Sequence, residues 1–206
     1  AWNISIPIEE AQLWWPNGLG GQNLYDVEVR LCSEDGSEQD SESLLVGLRD
    51  VRVRTGPAER RTVDFDLVGS VPGKRAMDGG MTGPWSRMML DEPHEVEITP
   101  LEFIVNGRPV FIKGANWQHP EALAGTATDD QYRTLLQHAR NANMNMIRIW
   151  GGGCIEPDLF YEECARLGLM VWQDFFFACG RFPGENPVFL KEIEEEAHDI
   201  VKRMRN

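Results

Sequence analysis

The sequence predicts a mixed fold: part of an antiparallel β-sandwich, followed by three consecutive βα units that build a parallel sheet. Three observations predict it. Short alternating runs with turn residues between them occupy the chain before about residue 100. From Phe103 onward, strand-like and helix-like patterns take turns. The helix-like stretches also carry start and stop signals where the strands should meet them.

The first part reads as strands and turns. Tyr25-Asp26-Val27-Glu28-Val29-Arg30-Leu31 alternates apolar and polar residues, the period of a half-buried strand. Leu44 to Val53 predicts one or two more strands. Asn17-Gly18 and Asp35-Gly36 supply turns, because glycine accepts a positive φ. These strands are too few to cover two sheet faces alone. Residues 56–98 hold Pro57, Pro72, Pro84 and Pro93 and read as a long irregular insertion, with Thr62–Val68 a candidate strand. The expected boundaries are therefore 1–55 for the sandwich part, 56–98 for the insertion and 99–206 for the βα part.

The second part has clearer punctuation. Phe103–Ile112 predicts a hairpin about Asn106-Gly107, and Val110–Ala115 a strand running into Asn116-Trp117. A helix follows, with Thr128 and Gln131 at capping-box spacing and Tyr132, Leu135, Leu136 and Ala139 on one face. Met144–Trp150 is the next strand. The second helix has Pro157 at its start, Gly168 past its end, and Phe160, Cys164 and Leu167 inward. Leu169–Asp174 is the third strand. The third helix begins at Asn186-Pro187 and turns Phe189, Ile193, Ala197, Ile200, Val201 and Met204 inward, leaving Glu192, Glu194, Glu195 and Glu196 as a solvated face. A parallel sheet of three strands has a bare edge, and Arg203-Met204-Arg205-Asn206 falls where a fourth strand is expected to follow. The expectation is a piece of a longer polypeptide.

Composition narrows the function classes. A formal net charge of -13 disfavours nucleic acid and anionic membrane surfaces as partners. No apolar run has the roughly 20 residues of a membrane span. Ala1-Trp2-Asn3-Ile4 has neither a basic nor an apolar leader region and does not begin with Met, so either a leader was removed or the chain is cut from something longer; a cytoplasmic location is the expectation. Cys32, Cys154, Cys164 and Cys179 match no zinc or CxxC spacing and read as reduced, mostly buried thiols. His94, His119, His138 and His198 show no ligand spacing, so no metal is expected. Gly151-Gly152-Gly153 lacks the context of a phosphate loop, and no GxSxG occurs, so no cofactor is expected either.

Ligands of parallel α/β sheets bind beyond the carboxyl ends of the strands. Those ends carry Asn116-Trp117, Arg148-Ile149-Trp150 and Trp172-Gln173-Asp174. Indole faces suit the C–H face of a pyranose, and nearby amide, guanidinium or carboxylate groups suit its hydroxyls. Each tryptophan also has a plain reading as core. Alternation puts Met144, Met146, Arg148 and Trp150 on one face of the second strand, and Trp172 with Asp174 on one face of the third. Arg148 and Asp174 are the natural ion pair, structural or substrate-binding.

Several of these blocks together resemble the β-mannosidase branch of glycoside hydrolase family 2. Leu13-Trp14-Trp15-Pro16-Asn17-Gly18 and Val46-Gly47-Leu48-Arg49 are similar to the immunoglobulin-like domain ahead of that family's barrel. Phe111–Trp117, Asn143–Gly153 and Val171–Phe175 with Phe177-Ala178-Cys179 resemble its first three barrel strands. The resemblance implies the end of an immunoglobulin-like β-sandwich followed by the first three βα units of a (β/α)8 TIM barrel. It implies a retaining hydrolase of terminal β-mannose, acting through an acid/base and a nucleophile carboxylate. Both catalytic residues are expected beyond Asn206, so none is assigned within this chain. Substrate contacts carried over by match are Trp117, Arg148, Trp150 and Asp174, with Asn116 and Trp172. The expected partners are a β-mannoside oligosaccharide or glycoconjugate and the remainder of the same polypeptide chain. Another family 2 exo-glycosidase and a non-catalytic carbohydrate-binding module are the alternatives. Gln118-His119-Pro120-Glu121 departs from the family's Ile-Pro-Ala-Asp, and 56–98 is longer than the family pattern.

Overall fold

The computed structural model describes residues 5–57, 59–63, 94–123 and 125–204. It has a mixed architecture of small antiparallel sheets, one parallel sheet and helices. The chain divides into two compact units, Ala1–Val51 with Ile104–Asn206, and Arg52–Phe103.

In the larger unit, β1 (Tyr25–Cys32) pairs antiparallel with β2 (Glu38–Val46), with Tyr25 opposite Val46. The turn between them uses Gly36 at φ 84°, as Asp35-Gly36 predicted. The strand expected across Leu44–Val53 is two: β2 ends at Val46, and β3 runs Val51–Thr55.

The described residues of the smaller unit include three strand segments and the start of a fourth. β4 (Glu59–Val63) pairs antiparallel with β5 (His94–Ile98). β3 lies beside β6 (Leu101–Val105), where Gly56 N–H donates to Pro100 O at 3.1 Å. Thr62 and Val63 of the expected Thr62–Val68 strand lie in β4, whereas 64–93 lie outside the described residues.

β6 turns through Asn106 (φ 49°) and Gly107 (φ 79°) into β7 (Arg108–Val110). Both turn residues have positive φ, the geometry an Asn-Gly hairpin uses. The predicted strand Val110–Ala115 is broken: β7 stops at Val110, and β8 starts at Gly114 and ends at Trp117. Asn145 causes the break. Its buried amide takes Lys113 N–H at 2.8 Å and donates to Phe111 O at 3.0 Å, satisfying backbone that leaves one sheet before joining the next. Gly114 then passes so close to the second parallel strand that a Cβ would sit 2.0 Å from Met146 O.

Three βα units follow. α1 is Asp129–Asn141, β9 Met146–Ile149, α2 Asp158–Leu167, β10 Met170–Gln173 and α3 Pro187–Arg203. β9 lies between β8 and β10, all parallel, with helical crossovers between successive strands. The helix ends obey the sequence. Thr128 and Gln131 form a reciprocal capping box on α1, Gly168 closes α2 in the left-handed region at φ 77°, and Asn186 caps α3 ahead of Pro187.

The core lies between one face of this sheet and helices α1 and α2. It includes Ile147, Ile149 and Leu169 against Tyr132, Leu136, Phe160 and Cys164. Two inward expectations fail: Leu135 is 40% and Val201 54% exposed. Each lies at the margin of its apolar stripe, and neighbours at better angles take the core positions. Of the cysteines, all are free, but only Cys164 is buried, while Cys32 and Cys179 are exposed. Among the described residues, the parallel strands do not close into a barrel, and no helix is long and apolar enough to cross a membrane.

Candidate active site

The register of the parallel sheet sorts the candidate residues. Asn116, Arg148 and Trp172 are Cα partners across β8, β9 and β10. Alternation puts these three on the face away from the helical core. The next row, Trp117, Ile149 and Gln173, points the other way.

Arg148 organises the face of the sheet turned away from α1 and α2. Its Nη2 donates to Asp174 Oδ2 at 2.5 Å and its Nε to Asp174 Oδ1 at 3.2 Å, a two-pronged contact on one carboxylate. Its Nη1 donates to Asn116 Oδ1 at 3.0 Å. The Gly151 amide adds a hydrogen bond to Asp174 Oδ2 at 3.3 Å, and Asp174 N–H donates to Ile149 O at 3.0 Å, holding the end of β10 against β9. One guanidinium thus fixes an amide and a carboxylate from the two neighbouring strands. Its side chain keeps 37% of its exposure, so the network remains open to solvent.

Trp150 follows β9 directly and is half-buried. Its six-membered ring lies over Gly152, where an added Cβ would come within 2.1 Å of the ring. Gly151 is equally constrained, since a Cβ there would sit 2.8 Å from Phe175 O. The glycine run therefore serves two close approaches, one by an indole and one by backbone. Trp172 is 42% exposed beside Arg148 in register.

Trp117 is placed differently from its expectation. It is 9% exposed and packed with Phe160 at 4.9 Å between ring centroids and with Tyr132 at 6.3 Å. Its row faces the helices, so this indole is core and offers no sugar platform. Its Nε1 donates to Glu156 Oε1 at 2.9 Å, and Tyr132 OH donates to Glu156 Oε2 at 2.7 Å. Glu156 is 2% exposed, and His119 Nδ1 stands 3.2 Å from its Oε1. Cys154 Sγ lies 3.6 Å from the same His119 nitrogen. Burial, followed by the Glu156 charge, pushes the Cys154 thiol up from its usual range. Burial and the Glu156 contact likewise hold Tyr132 protonated far above the ordinary tyrosine value. Sequence reading missed this cluster. The one signal for it was two aromatic side chains with polar ends, each needing an acceptor once buried.

The Leu13–Gly18 block is a joint. Trp14, 2% exposed, donates from Nε1 to Ala165 O at 2.8 Å in α2. Asn17 donates from Nδ2 to Arg140 O at 3.0 Å and Met144 O at 2.9 Å, and from its backbone to Gly168 O at 2.8 Å. It thus meets carbonyls where both α1 and α2 end, the groups a helix leaves without internal partners. Gly168 must be glycine, because a Cβ would lie 2.6 Å from Asn17 N and its φ is positive.

The parallel βα units carry a guanidinium-centred polar face at their strand ends, and comparison with known proteins shows what the chain is similar to. Residues 2–49 match the model of glycosyl hydrolases family 2. The chain is 33% identical over 206 aligned residues to a β-mannosidase of Capra hircus, spanning 98% of this chain and 19% of that protein. A β-mannosidase B of Aspergillus oryzae is 32% identical, with 99% and 20% of the two chains covered. The crystal structure of a β-D-mannosidase from Dictyoglomus thermophilum superposes with a TM-score of 0.69 at 35% identity, covering 94% of this chain and 19% of that one. The chain is a partial match to glycosyl hydrolase family 2, and specifically to its β-mannosidases. It spans about a fifth of the length of the curated relatives it matches.

Proposed function

We propose that this chain is the pocket-wall portion of a retaining exo-β-mannosidase, which removes terminal non-reducing β-D-mannose from oligosaccharides or glycoconjugates. The observation that carries the reading is the Arg148 fork, which ties Asn116 and Asp174 together on the face of the parallel sheet turned away from α1 and α2. The relatives named β-mannosidase support the choice of sugar. On this reading, residues 1–55 are the end of an immunoglobulin-like sandwich, 56–98 an insertion, and 99–206 the first three βα units of a (β/α)8 barrel.

The division of labour follows from the chemistry of the side chains. Asn116, Arg148 and Asp174 present an amide, a cation and a carboxylate to the hydroxyls of a neutral pyranose. Trp150 and Trp172 offer indole surface to its C–H face. Trp117 does not contact sugar in this account; it positions the end of β8 through Glu156. A retaining glycosidase needs an acid/base and a nucleophile carboxylate about 5–5.5 Å apart. On this reading Asp174, paired with Arg148, is a positioning group, and both catalytic carboxylates belong to the remainder of the polypeptide.

The test is hydrolysis by the full-length protein of an aryl β-D-mannoside beside the matching β-glucosaminide, β-galactoside and β-glucuronide. Release of aglycone from the mannoside is expected. Cleavage of one of the others in its place would move the protein to a different sugar, and binding without cleavage would make it a carbohydrate-binding module.

A further inference from the structure

The cluster behind the sugar face has a composition that the proposed glycosidase chemistry does not use. His119 follows β8, and Cys154 and Glu156 follow β9, so two loops at the carboxyl ends of neighbouring strands meet there. From this arrangement we infer that His119, Cys154 and Glu156 form a binding site for a borderline-soft divalent cation, zinc by the chemistry of the donors.

Three observations carry this. The donor set of imidazole, thiol and carboxylate is one that zinc takes and that hard cations such as magnesium and calcium avoid. The two spacings at His119 match the edges of a tetrahedron. Zinc bonds of about 2.0–2.3 Å place ligand nitrogen and oxygen about 3.4 Å apart, and sulfur and nitrogen about 3.6 Å apart. The structure has 3.2 Å between His119 Nδ1 and Glu156 Oε1 and 3.6 Å between Cys154 Sγ and His119 Nδ1, with all donor atoms inside 4.8 Å.

The third observation is the outer shell. Ligating carboxylates are characteristically held by further hydrogen bonds. Glu156 is 2% exposed and held by Trp117 Nε1 and Tyr132 OH, with His119 Nδ1 3.2 Å from its Oε1. Cys154 Sγ donates to Ile155 O at 3.3 Å. On binding, the thiol proton passes to solvent and the sulfur becomes the ligand. Three protein ligands leave a fourth position on a tetrahedral ion, and the His119 side chain is 24% exposed. The bound ion ties the loop after β8 to the loop after β9, next to the Asn116–Arg148–Asp174 face.

The site is invisible in sequence spacing, because 35 residues separate His119 from Cys154. A cation is also a more specific occupant than a bare His119–Glu156 ion pair, which would need no sulfur within reach.

The experiment uses the full-length protein, stripped of metal and with thiols kept reduced. Zinc is titrated by calorimetry, and cobalt(II) by absorption. We expect one equivalent of zinc per chain at this site and a thiolate-to-cobalt charge-transfer band in the near ultraviolet. Cys154→Ser, a near-isosteric change, should abolish the band and weaken zinc binding by at least about 100-fold, and Tyr132→Phe should weaken it about 10-fold. Absence of the thiolate band in the unsubstituted protein overturns the inference without any variant. So does a band or zinc affinity that survives unchanged in Cys154→Ser or His119→Ala.

Discussion

Asp174 accepts two hydrogen bonds from Arg148, at 2.5 Å from Nη2 and 3.2 Å from Nε, so one planar fork links the middle strand of the parallel sheet to the end of its neighbour. The pair is partly open to solvent, with side-chain exposures of 37% and 22%. A double-mutant cycle of Arg148→Ala and Asp174→Ala, read by urea unfolding, is expected to give a coupling energy of about 1 kcal/mol, modest because water screens the pair. A coupling near zero would mean that the fork is incidental.

Glu156 anchors two aromatic residues on the opposite face. Glu156→Ala leaves the Trp117 indole N–H and the Tyr132 hydroxyl without their acceptor in a buried site. A loss of about 1–3 kcal/mol per orphaned group is expected, measured as a shift in the urea midpoint with an unchanged slope. Glu156→Gln, which keeps an acceptor oxygen, should recover part of that loss.

Asn17 joins the N-terminal segment to the ends of α1 and α2 through two side-chain hydrogen bonds, at 3.0 and 2.9 Å. Asn17→Ala should cost about 1–2 kcal/mol. Gly168→Ala should cost more, since it meets both the Asn17 backbone and a positive φ. Thermal melts of both variants check the order.

Gly152 leaves room for the Trp150 ring. Gly152→Ala forces that ring aside, so a change in the Trp150 contribution to fluorescence should accompany a fall in kcat/KM similar to that of Trp150→Ala. Trp150→Ala itself should lower kcat/KM with little change in melting temperature. A large melting shift with unchanged kinetics would make Trp150 a core residue.

Alkaline pH should destabilise the fold. Burial pushes Tyr161 up to about 12 from the ordinary 10.0, outweighing the lowering contributions of the Glu156 amide and Arg203. Its neutral hydroxyl donates to Gln173 Oε1 at 3.2 Å. Because the folded value is the higher one, the stabilisation is complete below pH 10 and is lost as pH rises from 10 through about 12. Unfolding midpoints across that range should fall, and Tyr161→Phe should flatten the fall.

The sequence shows the βα alternation because its signals are local. The Thr128–Gln131 capping box, Gly168 and the Asn186 cap each depend on a few adjacent residues, and each appears where predicted. The break at Phe111–Lys113 is not local, since it depends on the Asn145 side chain reaching back more than thirty residues. Trp117 could not be assigned a face from its own neighbourhood. Only the register with Ile149 and the acceptor at Glu156 turn it toward the helices. Arg148 and Asp174 were legible as a pair, because alternation along two short strands is enough to bring them together.

On the proposed function, the Arg148-centred face is the wall of a β-mannoside pocket. The most direct test is kcat/KM for an aryl β-D-mannoside in the full-length protein and in Arg148→Ala, with melting temperatures recorded alongside. A fall of about 100-fold or more, worth about 2.7 kcal/mol of transition-state stabilisation, is predicted for a variant that remains folded. A folded Arg148→Ala protein within about twofold of the parent rate would contradict the account.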